Sequence, residues 1–226
     1  MSLFRNSVLL AGLAVCTTIA SAATITVTGV DATRGQSIFV LADGQVVETY
    51  AGAIVIALDG GSTMPVMCVD LFTHININDS FGVNYVLPAD LDPDISRGLR
   101  AAYLYVTQFG NVSSSIAGAA MQLAIWDIIH DGGDGFSAGR IQASTTVGQA
   151  TDPAISIAAL QYVTFALNYQ QGPTNATIFR NVDGPYVKQQ LMGASVPEPA
   201  SMVMMSCGIA LLGWRKMRNR KRVAQS

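Results

Sequence analysis

Fifteen apolar or small residues, 200–214, are followed within eight positions by six cations: Arg215, Lys216, Arg218, Arg220, Lys221 and Arg222. A run that ends in such a block cannot continue into a folded core. As a helix it would reach roughly 22 Å, short of a bilayer core of about 30 Å. Trp214 and the basic side chains can snorkel to the interface and make up the difference. The basic block stays on the cytoplasmic side, which places the preceding chain outside. A buried helix with a solvated basic end would not explain why the charges come together. The other end is also apolar: Arg5 precedes the run 8–19, and Ala20-Ser21-Ala22 supplies the small-x-small pattern that signal peptidase reads. We therefore expect a secretory signal over 1–22, removed after about Ala22.

The folding problem is thereby confined to the residues between, enough for one domain of ordinary size. Half of the chain is hydrophobic and 12% is charged, which excludes wholesale disorder. Without its ends the chain keeps six cations (Arg34, Arg97, Arg100, Arg140, Arg180, Lys188) and fourteen acidic residues, near minus eight. That charge favours solubility and argues against a nucleic-acid partner.

Between the domain and the apolar run lies Val196-Pro197-Glu198-Pro199. A Pro-Glu-Pro tripeptide, a short apolar helix and a terminal Arg-rich cluster, paired with an N-terminal signal, resemble the PEP-CTERM sorting signal of Gram-negative bacteria. The resemblance implies processing by an exosortase near Pro197, Glu198 and Pro199. It also implies an inner-membrane-anchored precursor, a destination at the cell surface or in an exopolysaccharide matrix, and an association with biofilm or floc. The expected organisation is a signal peptide at 1–22, an ectodomain at 23–191, a linker at 192–195 and the sorting signal at 196–226, with its membrane helix at 200–214.

Within the ectodomain, 24–29, 37–41, 45–50, 53–58 and 66–72 read as strands, with Ala42-Asp43-Gly44 as a hairpin turn. Residues 83–87 add a short one. The period then changes. Ile95, Leu99, Ala102, Tyr103 and Val106 predict a helix over 95–109, started by Asp92-Pro93-Asp94. A second helix over 113–129 is entered by serines and closed by Asp131-Gly132-Gly133; a third runs from Asp152-Pro153 to about Leu167. Strands at 176–180 and 186–191 finish the domain. The order predicts an α+β fold, a mostly antiparallel sheet or barrel with a helical insertion.

Cys16 lies in the signal run and Cys207 in the C-terminal run, so Cys68 is left as the single cysteine of the exported domain. No internal disulfide can form, and a lone thiol in an oxidising space needs another reason. Cys16 is followed by Thr17-Thr18-Ile19 and does not fit a lipoprotein signal. On the second helix Gln122 stands four residues before Trp126, so amide and indole share a face. By itself such a glutamine reads as a polar side chain satisfied by backbone.

Taken together, Met67-Cys68-Val69-Asp70 and the downstream Met121-Gln122-Leu123-Ala124-Ile125-Trp126 resemble the bacterial surface thioester domains of Gram-positive adhesins. The resemblance spans 52–131. It implies an internal thioester between Cys68 and Gln122, with Asp70 and Trp126 as the supporting acid and aromatic. It also implies an amine or hydroxyl acceptor on a polysaccharide or protein. Met67 stands where that family usually has an aromatic. Such a bond would close a loop of 54 residues, worth roughly 4 kcal/mol by analogy with a disulfide.

A thiol hydrolase would pair Cys68 with His74 or His130. On one extended strand Cys68 and His74 would stand about 20 Å apart, and His130 reads as a cap on a helix C-terminus. We therefore expect no enzyme with turnover, only single-turnover attachment or a non-reactive structural role in the matrix. Asp131-Gly132-Gly133-Asp134-Gly135 lacks the further carboxylates and terminal Glu of an EF-hand and reads as a turn. No metal and no cofactor are expected.

Overall fold

The computed structural model describes residues 23–91, 94–184, 187–195 and 208. Residues 22–196 form one compact unit. The expected signal peptide, the Pro-Glu-Pro motif, the 200–214 run and the six terminal cations lie outside the described residues, Gly208 apart. Among the described residues no helix is long and apolar enough to cross a membrane.

Two long strands carry the first quarter of the domain. β1 (Ala23–Ala42) and β2 (Gln45–Leu58) pair antiparallel along nearly their whole length. They join at Asp43-Gly44, whose positive φ values of 46° and 77° suit a two-residue hairpin. The four separate strands expected here are two bent ones. The register of β1 shifts between Val27 and Gly29 and again between Val30 and Gly35, and bulges of this kind bend a strand without ending it. At the bend Gly35 faces Gly52, whose φ is 136°. A Cβ on either would collide with backbone of the facing strand.

β3 (Thr63–Cys68) follows, then β4 (Ser80–Val86), β5 (Ile141–Ala143), β6 (Ala176–Asn181) and β7 (Leu191–Ala194). The pairings β1–β2–β3–β7–β6–β4–β1 close a six-stranded antiparallel ring, and β5 adds to the far end of β1. The last strand starts where the expected one ends, and 192–194 of the expected linker belong to it. The reason is pairing: Leu191, Met192 and Gly193 fit against Cys68, Met67 and Val66 of β3. The polar residues before them make side-chain contacts instead, Lys188 with Asp79 and Gln190 with Arg180.

The helices are α1 (Ile95–Gln108), α2 (Ser115–Asp131) and α3 (Pro153–Leu167). Each is N-capped by a side-chain oxygen: Asp94 accepts from Ser96, Ser114 from Ala117 and Asp152 from Ala154. α2 ends at Gly132 in the left-handed conformation. Every residue from Gly118 to Ile129 on α2 is buried. A helix that is apolar all round must be covered all round, and α2 packs on β1, β2 and β3 and also on α1 and α3. Gly118 sets its approach to the barrel, since a Cβ there would enter the backbone of Arg34. α2 is thus held close enough to β3 for a side chain on one to reach the main chain of the other.

Candidate functional site

Cys68 is the last residue of β3, 2% exposed, and its register partner is Leu191. Gln122 sits on α2, with no exposed surface. Between them runs a reciprocal pair of hydrogen bonds. The Cys68 N–H donates to Gln122 Oε1 at 2.9 Å, and Gln122 Nε2 donates to the Cys68 carbonyl at 2.6 Å. The carboxamide is thereby fixed against the residue that carries the thiol, with its carbonyl oxygen on an N–H donor. A donor aimed at a carbonyl oxygen polarises the carbon for attack and can hold the charge that attack develops. Burial, followed by the neighbouring Asp70 charge, pushes the Cys68 thiol well above its ordinary pKa, so in the unlinked protein it is a thiol and not a thiolate.

Cys68 also lines a cavity of about 140 Å³ that opens to the surface. Its apolar wall includes Val30, Ile54 and Ile77; Tyr50, His74 and Gln189 add polar groups. Cys68 and His74 therefore share a cavity, which corrects the 20 Å separation expected of a continuous strand. β3 stops at Cys68 and the chain turns. The turn is made by Asp70, whose carboxylate accepts from the Phe72 N–H at 2.9 Å and the Thr73 hydroxyl at 2.6 Å. Gln189 donates to the Asp70 carbonyl and ties this loop to the segment before β7. Asp70 is thus engaged in shaping the loop over the cavity.

Trp126 is fully buried one turn beyond Gln122, and its indole N–H has no partner. It contributes volume to the core around α2. His130 is not the helix cap expected of it. Its ring packs edge-on against Phe72 with centroids 4.9 Å apart, and burial lowers its pKa, which favours the neutral form. Arg97 takes the capping role and donates to the carbonyls of Ile129 and His130 at 3.2 and 2.8 Å. Among the described residues, the acidic group whose ligand atoms could share a cation is not at Cys68. It is Asp127, Asp131 and Asp134, at the far end of α2.

Residues 195–221 match a family described as the PEP-CTERM protein-sorting motif. The chain carries that motif. It implies an exported, surface-directed protein processed by an exosortase. No curated protein is significantly similar to the chain. Among solved structures, the chain is similar to the N-terminal domain of the Streptococcus pyogenes pilus tip adhesin Cpa, at 14% identity and TM-score 0.43, over 79% of this chain and 100% of that one. It is also similar to the N-terminal thioester domain of the fibronectin-binding protein SfbI from Streptococcus pyogenes, at 11% identity and TM-score 0.40, over 74% and 95%. A thioester domain of a Clostridium perfringens surface protein follows, at 13% identity and TM-score 0.37, over 63% and 87%. Likenesses this distant leave the site to be judged on its own geometry.

Proposed function

We propose that this exported protein attaches once and covalently to its surroundings, through a thioester between Cys68 and Gln122. The observation that carries this reading is the reciprocal pairing of the Gln122 carboxamide with the Cys68 main chain, in the core but beside a cavity that Cys68 lines. The Cys68 sulfur attacks Cδ of Gln122, the C–N bond breaks, and the thiol proton leaves with the nitrogen as ammonia. The Cys68 N–H on Oε1 supports the charge formed on that oxygen. An amine or hydroxyl entering the cavity then attacks the same carbon. The C–S bond breaks, the acceptor's proton returns to sulfur, and Gln122 is left as a substituted amide or an ester. No turnover follows, because the acyl group is not released.

A second reading is a non-reactive matrix module, favoured by the burial that keeps the unlinked thiol protonated and by the partner that each polar atom of the Gln122 amide already has. A fluorescent alkylamine separates the two. Covalent attachment predicts one label per wild-type chain that survives denaturation, and none on Cys68→Ala or Gln122→Glu. A folded wild type that takes no label supports the structural module. Repeated cleavage of an ester substrate would instead point to a Cys68–His74 hydrolase.

A further inference from the structure

We propose that Asp127, Asp131 and Asp134 form a binding site for a calcium ion. Asp127 and Asp131 lie one turn apart on α2, and Asp134 comes back from the loop that follows; one oxygen from each lies within 4.8 Å of the others. Asp127 has no exposed surface, and its Oδ1 has no hydrogen-bond partner. Its Oδ2 has only the Gly135 N–H at 3.4 Å. A buried carboxylate aimed at two others, with one oxygen unpartnered, costs stability unless a positive group completes it.

Among the described residues no cationic side chain makes an ion pair with these three carboxylates. Arg140 is turned to Asp43, donating from two nitrogens at 2.8 and 2.7 Å, and Arg97 is held on the helix carbonyls. The ion pairs found there involve Asp31, Asp43 and Asp79. The C-terminal end of α2 adds its own negative pole to the three carboxylates.

The donor set is all oxygen, which selects a hard divalent ion, and water can complete the loose shell that calcium accepts and magnesium does not. The ion would fasten the 132–140 loop, through Asp131 and its bond from the Ile141 N–H at 2.8 Å, to the start of β5. Neither a thioester nor its acceptor is involved.

The test is a titration of the full chain in detergent with calcium chloride, read by calorimetry and by displacement of terbium excited through tryptophan. The expected result is one ion per chain with a Kd of about 10⁻⁴ to 10⁻³ M, and weaker binding of magnesium. Asp134→Asn, in the exposed loop, should weaken binding at least ~10-fold, and Asp127→Asn at least as much. A folded wild type with neither heat nor terbium displacement up to about 10 mM calcium overturns the proposal. Unchanged affinity in folded Asp134→Asn overturns it as well, and that variant decides if Asp127→Asn does not fold.

Discussion

Gln122 and Asp127 are five residues apart on one buried helix, and the protein treats them in opposite ways. Gln122 brings a donor and an acceptor, and the end of β3 presents an acceptor and a donor to match. Asp127 brings acceptors only and meets one long bond from Gly135 and two more acids. A buried polar group that matches its surroundings fixes a position; one that does not match marks a place where a further partner is wanted. The first defines where α2 sits on the barrel, and the second defines where the domain can take something up.

Breaking the matched half gives the largest effect. On a Cys68→Ala background, where no thioester can form, Gln122→Leu leaves the N–H and carbonyl of residue 68 without partners in the core, and should cost about 3 kcal/mol or more in guanidinium unfolding. A loss under about 1 kcal/mol would mean that the pair contributes little to holding α2 on the barrel.

The unmatched half should respond with the opposite sign. In chelator at neutral pH, Asp127→Asn removes an uncompensated buried charge and should raise unfolding stability by about 1–2 kcal/mol. Adding calcium should then stabilise wild type and leave the variant unchanged. A variant less stable than wild type in chelator would show that Asp127 is already matched.

A charge that does have its partner sharpens the contrast at the small end. Asp79 meets Lys188 at 2.7 Å across the loops before β4 and before β7. The hydrogen bond from Lys188 holds its pKa below the ordinary 3.8. A lowered carboxyl pKa gives stability that is complete above the unfolded value and is lost as pH falls below it. Asp79→Asn should therefore cost only about 0.5 kcal/mol at pH 7 and make the acid limb of the stability profile shallower below about pH 4.

Much of the scaffold was legible in the sequence because its signals are local. Ser114 and Gly132 bound α2, Asp152 with Pro153 opens α3, and Asp43-Gly44 turns the first hairpin. The misread parts depend on what lies across from them. β1 stays one strand through its bulges because β2 follows it, and β7 begins at Leu191 because β3 offers Cys68 there. β5, three residues with a single fully buried side chain, has no period to detect. At the site, Cys68 and Gln122 stood out as a lone thiol and a polar residue in an apolar helix. His74 reads from the sequence as a hydrolase partner about 20 Å from Cys68 on a continuous strand; its place in the cavity follows from the turn built by Asp70, Phe72 and Thr73. Asp127 is hidden within the apolar run, although an acid four residues before Asp131 on a helix is a signal of its own.

The intact mass of the exported chain, before and after methylamine, tests the central proposal most directly. A Cys68–Gln122 thioester predicts a chain lighter than its sequence by one ammonia. Methylamine should then add to it, with release of a titratable thiol, and Cys68→Ala should show neither change. A folded wild type at its full sequence mass, with a thiol that titrates only on unfolding, would contradict it.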